Sequence, residues 1–401
     1  MAAQSIPGHV PPEKVFHYDI FERQHNEGDF HSWFASLHDK SCPDMFWTTA
    51  NEGHWVVTRG DLFQDVLTQP DIFSSEVGIV PKSRQTQTPP FPISLDPPEH
   101  TKYRAVLTGT FSPKAVIPLG EKARHLTNEL LDGFYHRGHC EFMTEVSRKL
   151  PIAIFMEMVG LPQEDTAKLL AYVDEMIRPT NVDSNEAGEA LSAYAYKTVL
   201  ERMANPGDDL LSDLTRAEVD GEKLTTEQLT GMTILLLLGG LDTVAAVLGF
   251  TMNYLARNAD IRRRLAENPE QISAATEELL RRFPVSTLGR IVTRDVEFHG
   301  LQLKKGEMVM TPTMAHSLDD RVFQNPTRVD LDRKPGFHGT FGAGAHRCLG
   351  SMLARVELRA FLEEWLRRVP NFRVKANADL MVDTGMVVAL HSLPLEWDVP
   401  A

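Results

Sequence analysis

The stretch Phe341-Gly342-Ala343-Gly344-Ala345-His346-Arg347-Cys348-Leu349-Gly350 decides how the rest of the chain is read. Its glycines permit a tight turn, with positive φ where needed and main-chain N–H groups free to point inward. Immediately after it, Leu358, Phe361, Leu362, Trp365, Leu366 and Val369 recur at intervals of three and four, which predicts a helix over 351–369. Cys348 therefore stands just ahead of a helix N-terminus. The dipole of that helix and the loop N–H groups are expected to lower its pKa and hold a thiolate.

Several roles for such a sulfur compete. A cysteine nucleophile needs a histidine base, and His346 two residues away has the spacing for one. A structural zinc site needs about four ligands, whereas Cys42 and Cys140, the other two cysteines, stand in unrelated contexts. A dinucleotide-binding loop would need a third glycine where Arg347 stands. The plainest reading is an inert thiol buried near a turn.

Two more constellations sit upstream. The most apolar run, 232–250, lies inside a helix expected over 226–257 and contains Gly239-Gly240-Leu241-Asp242-Thr243. Its length of about 19 residues would cross a bilayer. Asp242 near its middle, and the lack of basic flanks or an aromatic belt, argue instead for the central helix of a large core. A buried helical threonine commonly bonds back to the carbonyl four residues earlier, here Gly239. The paired glycines nevertheless weaken the helix there and remove two side chains, leaving a groove beside an acid and an alcohol. Further on, Glu278 and Arg281 are neighbours on a helix and read as an i,i+3 ion pair.

Taken together, Phe341-x-x-Gly344-x-x-x-Cys348-x-Gly350, Gly239-Gly240-x-Asp242-Thr243 and Glu278-x-x-Arg281 resemble the motifs of the cytochromes P-450, in that family's order and spacing. The similarity runs along nearly the whole chain toward the bacterial camphor-hydroxylating members. It implies a mainly α fold with small segregated β-sheets, in which a long central helix lies over a cysteine-ligated haem b. By resemblance Cys348 is the axial ligand, a thiolate that pushes electron density toward the iron and favours O–O cleavage. Phe341 shields the sulfur and Gly350 lets the loop pass under the porphyrin. His100, Arg104, Arg290 and His346 hold the propionates, although Leu288 replaces an aspartate beside one of them. Asp242 and Thr243 deliver protons beside the groove at Gly239, and Arg178 holds Asp242. Glu278, Arg281 and Arg328 scaffold the cysteine loop.

The same resemblance places Ile79, Thr88, Ile177, Leu235, Leu238 and Ser286 around the substrate. Thr88 stands where the camphor-hydroxylating members have a ketone-binding tyrosine. It implies a haem-thiolate monooxygenase acting on an unactivated C–H bond of a small terpenoid or norisoprenoid, camphor-like or ionone-like. No flavin or nicotinamide fingerprint is present, so electrons are expected from a 2Fe-2S ferredoxin and its NAD(P)H-dependent reductase, docking on Arg59, Arg104, Arg347 and Lys334. A haem-thiolate sensor or carrier and a peroxide-driven peroxygenase are the alternatives.

Composition is that of an ordinary globular chain able to bury a large core. The 401 residues are 42% hydrophobic and 24% charged, and no linker or internal repeat divides them, so one domain over 1–401 is expected. A formal charge of −14 argues against general nucleic-acid binding. Three cysteines give no disulfide framework, and residues 1–15 show no apolar leader, so the expected compartment is the cytoplasm. Helical patterns are read at 30–37, 59–69, 112–134, 145–159, 163–177, 186–203, 226–257, 261–266 and 270–283. Strands are expected at 45–49 and 54–58, joined by Asn51-Glu52-Gly53, at 290–293 and 308–311, and in the tail. The segment 81–98, rich in Pro, Thr and Gln, reads as a long loop.

Overall fold

Asn51, Glu52 and Gly53 all adopt positive φ (50°, 69° and 73°) and turn two apolar runs back on each other. β1 (Met45–Thr48) and β2 (His54–Val57) pair antiparallel with Trp47 opposite Trp55. The computed structural model describes residues 6–22, 24–25, 29–38 and 42–399. Three further strands complete this sheet: β3 (Phe73–Ser74), β4 (Thr287–Val292) and β5 (Met308–Pro312), in the order β1-β2-β5-β4-β3. β5 lies parallel to β2 and antiparallel to β4, with Met310 opposite Gly289. Side chains two apart on a strand share a face, so Leu288 and Arg290 are delivered together.

Ten helices make most of the remainder: α1 (Gly60–Thr68), α2 (Glu99–Thr108), α3 (Leu119–Phe134), α4 (Lys149–Val159), α5 (Thr166–Ile177), α6 (Glu186–Ala204), α7 (Thr226–Gly240), α8 (Thr243–Arg257), α9 (Ile272–Arg282) and α10 (Ser351–Arg368). Four short sheets lie apart from the five-stranded one. The mainly α architecture with segregated sheets is as expected.

Two helices expected from the sequence are broken. The helix expected over 112–134 is divided at Pro118, where the ring cannot donate to the ladder. The helix expected over 226–257 is two helices. α7 begins in a capping box of Thr225 and Gln228 and ends at Gly240, while α8 begins at Thr243 after Asp242 leaves helical geometry (φ −130°, ψ −39°). The pair carries the most apolar stretch of the chain, and 67% of its most apolar window is buried inside the protein. It is a core element, packed against α6 and α4. α10 packs on α3 and α9, which brings the cysteine loop beneath the α7–α8 junction.

Candidate active site

The cysteine loop folds as its glycines suggest. Gly342 and Gly344 take φ of 70° and 67°, and the Cys348 N–H donates to the Phe341 carbonyl (2.9 Å), closing the turn. Protein encloses the Cys348 sulfur, and the surface it shows opens into a cavity of about 330 Å³. Burial pushes the thiol pKa up, and the Gly350 N–H and the Arg104, Arg355 and Arg347 guanidinium groups pull it back without reversing it. The expected net lowering is thus corrected: desolvation outweighs loop and dipole in the protein alone. A metal would remove the proton outright.

Across the cavity lie Gly239, Gly240, Thr243 and Val244. The two glycines do different work. A methyl at Gly240 would fall 2.3 Å from the Phe155 ring, so this glycine admits Phe155; a methyl at Gly239 would meet nothing within 4 Å, so this one leaves open space. The Thr243 hydroxyl donates to the Gly239 carbonyl (3.1 Å). Asp242, only 4% exposed, turns away and is gripped by Arg178 through both oxygens (2.6 and 2.9 Å). Arg178 also donates to the Val387 carbonyl (3.0 Å) and to Asp174. Burial works against its charge, yet the two carboxylates hold its pKa above the ordinary value.

At one end of the cavity four nitrogen side chains gather, with the Asp96 carboxylate close enough to act on His100 and Arg290 but not to offset their burial. The His100 and His346 rings lie with centroids 3.9 Å apart, tilted by 38°. His100 Nδ1 and both His346 nitrogens have no hydrogen-bond partner. Burial, with the neighbouring Arg104 and Arg290, pushes their pKa values down to about 4 and about 3. Arg290 is 6% exposed, its one hydrogen bond among the described residues goes to the Gly289 carbonyl (2.7 Å), and burial lowers it to about 10. Arg104 donates to the Arg347 carbonyl. Such a cluster fits a buried dicarboxylate.

A haem fits this donor set. Among the described residues no group of three or more His, Cys, Asp or Glu side chains converges as a metal site, so an ion on Cys348 must bring its other ligands with it. The cavity walls between the sulfur and Gly239 are apolar, with Leu107, Phe111, Phe155, Val247 and Leu358 among them, and the orphaned imidazoles lie where carboxylates would end.

Behind the loop, Arg281 makes a bidentate pair with Glu278 (2.8 and 2.8 Å) and donates to the carbonyls of Ser317, Pro326 and Arg328. The further guanidinium on Glu278 is that of Arg333 (3.0 Å); the expected Arg328 side chain is replaced there, and Arg328 contributes its carbonyl. Arg355 is paired with Glu277 and lies 4.5 Å over the Phe341 ring. Of the expected pocket residues, Leu235 and Ser286 line the cavity, whereas Ile79, Thr88, Ile177 and Leu238 do not; Pro92, Ile93, Phe155 and Val285 do. Arg59 is 8% exposed and paired with Asp44, Asp319 and Asp320, so it offers no free charge to a partner, while Arg347 and Lys334 are exposed. The sequence reading passed over Glu357, 1% exposed, on the cavity wall, without a hydrogen-bond partner among the described residues. Burial pushes it up to about 8. Its signal was available: it falls on the apolar spacing Leu353, Glu357, Phe361.

The family model for Cytochrome P450 matches residues 165–399. A probable cytochrome P450 127A1 of Sinorhizobium fredii is 32% identical over 401 residues, 98% of this chain and 97% of the relative. A steroid C26-monooxygenase of Mycobacterium tuberculosis is 33% identical over 342 residues, 82% of this chain and 91% of that one. Among solved structures, CYP101J2 superposes with a TM-score of 0.90 at 36% identity, covering 99% of this chain and all of the other. CYP101C1 does so with 0.89 at 34%, covering 98% and 100%.

Proposed function

Because the chain belongs to the cytochrome P450 family, we propose that it inserts one oxygen atom from dioxygen into an unactivated C–H bond of a small hydrophobic terpenoid or norisoprenoid. It is a cytochrome P450 monooxygenase and binds haem b through a cysteine thiolate. We read Cys348 as that ligand, His100, Arg104, Arg290 and His346 as the propionate partners, and 1–401 as one catalytic unit. The observation that carries the reading is a single cavity with the Cys348 sulfur on one wall and the Gly239 notch beside Thr243 on the other.

Bound haem supplies activated dioxygen, and its thiolate ligand favours O–O cleavage. The chain supplies the protons and the exclusion of water. Thr243 lines the same cavity as Gly239, and its hydroxyl, bonded to the Gly239 carbonyl, is the donor we assign to that space. Asp242 passes it a proton from behind once Arg178 lets go, because both carboxylate oxygens are otherwise taken by the guanidinium. Phe341, held under Arg355, is the residue we assign to shielding the sulfur. The apolar walls, Ile93, Leu235 and Val285 among them, suit a hydrocarbon skeleton with little polar decoration. One cavity shared by porphyrin and substrate favours a small skeleton over a steroid, the class named for one of the relatives.

Electrons come one at a time from a redox partner, here a 2Fe-2S ferredoxin with its NAD(P)H-dependent reductase, in the cytoplasm. Arg347 and Lys334, exposed near the cysteine loop, are its contact. The test is Thr243→Ala in the haem-loaded enzyme. Haem content and β-ionone binding stay as they were, while product per electron falls several-fold and peroxide replaces it; an unchanged yield per electron would sink the role of Thr243. Displacement of iron-bound water by a panel of monoterpenoids, ionones and one steroid fixes the substrate class.

A further inference from the structure

The 81–98 loop lines the cavity through Pro92 and Ile93. From it Arg84, 5% exposed, runs to the far end of α5. The last carbonyls of a helix lack partners inside the helix, and on α5 each is met from elsewhere or by the residue that ends it. Asp174 O accepts from the Arg178 N–H (2.8 Å) and Ile177 O from the Met386 N–H (2.9 Å). The two between belong to the loop: Glu175 O accepts from Arg84 Nη2 (2.9 Å) and Met176 O from Nη1 (3.2 Å). Arg84 is thus the C-terminal cap of a helix from which it is 82 residues or more away in sequence. The next residue along is Arg178, whose guanidinium grips Asp242. An arginine at a helix C-terminus readily bonds that helix's own last carbonyls, and the partners that now compete for Arg178 are Asp242, Asp174 and the Val387 carbonyl.

We propose that Arg84 is a positioning residue coupling the substrate loop to the cavity acid. While Arg84 caps α5, Arg178 stays on Asp242; when the loop withdraws, Arg178 turns to the bared carbonyls of Glu175 and Met176 and releases Asp242. This rests on reading Asp242 as the proton source. The consequence is that loop closure and proton supply are set by one arginine exchange.

The experiment compares haem-loaded wild type, Arg84→Ala, Asp242→Asn and the double variant, with Arg84→Lys as a variant that keeps charge and one carbonyl contact. With β-ionone and a surrogate ferredoxin system, Arg84→Ala raises the fraction of electrons lost as peroxide several-fold and Arg84→Lys does so less. Asp242→Asn slows turnover by about 10²-fold, and adding Arg84→Ala to it changes nothing further, since coupled sites are not additive. Hydrogen exchange of the enzyme without redox partner speeds at the Arg178 and Met386 amides in Arg84→Ala and stays unchanged at 166–173. Additive effects in the double variant, or faster exchange confined to 81–95, would overturn the coupling while leaving the proton reading intact. Unchanged turnover in Asp242→Asn alone would overturn the proton reading and the coupling with it.

Discussion

The two walls of the cavity are built on opposite plans. On the cysteine side, α9, α10 and the loop are locked by closed networks: Glu278 meets Arg281 and Arg333, Arg281 takes three carbonyls, and Arg355 joins Glu277 to the Phe341 ring. On the far side the helix is broken, a threonine hydroxyl stands in for a ladder N–H, and one arginine is shared among two carboxylates and a carbonyl. One wall holds a geometry and the other exchanges partners. That division is what a site needs when one ligand bond must never shift and protons must arrive on cue.

The largest effect expected breaks the fixed wall at its centre. Cys348→Ala abolishes product and removes the red-shifted carbon monoxide band of thiolate ligation in any haem that still binds; retention of that band would end the assignment. Next, Glu278→Gln leaves the buried Arg281 and the half-buried Arg333 facing a neutral amide, and breaking a buried pair such as Glu278–Arg281 costs about 3–5 kcal/mol. Denaturant unfolding of the haem-loaded protein reads that loss, and a cost under about 1 kcal/mol, as for a surface pair, would show that the network does not lock the wall.

Glu357 sharpens the comparison because it is a buried acid on the fixed wall that no cation or hydrogen bond holds among the described residues. Its folded pKa of about 8 stands above the ordinary 4.5, so the folded protein holds a proton that the unfolded chain has released. Its contribution is therefore whole below about pH 4.5 and is lost as pH climbs through about 8, a few kcal/mol at about 1.4 kcal/mol per pKa unit. Glu357→Gln removes that slope, and unfolding midpoints between pH 5 and 9 should flatten relative to wild type. The smallest effect lies outside both walls: Arg347→Glu slows ferredoxin-driven reduction several-fold at low salt, and the difference fades as salt screens it beyond roughly 8–10 Å. Equal rates at low salt would place the docking face elsewhere.

How legible all this was depends on what each residue faces. α10 and α9 were read from apolar spacing because one side of each meets a hydrocarbon core. α2 was not read at all, although it carries His100 and Arg104. Its inward positions His100, Arg104 and Leu107 serve a cavity end lined with nitrogen donors, so no apolar stripe marks them. Arg178 was placed on Asp242 by resemblance, and its geometry is as expected. Arg333 was missed for Arg328 because both flank the same turn, and only the fold decides which side chain reaches Glu278. The loop residues 79 and 88 stayed out of the cavity that 92 and 93 enter, since a proline-rich loop has no periodicity from which to count facing.

Splitting the central helix has an electrostatic consequence of its own. α8 starts at Thr243, so the positive terminus of its peptide dipoles, equivalent to about half a unit charge, abuts the cavity that Thr243 and Val244 line. Negative charge arising on that side of the cavity would thereby be met by the main chain, a field that no change to a polar side chain would delete. Only mending the rod would: the empty room around Gly239 would seat a methyl without a clash, and that single carbon would favour an unbroken helix and flood the notch with hydrocarbon at once.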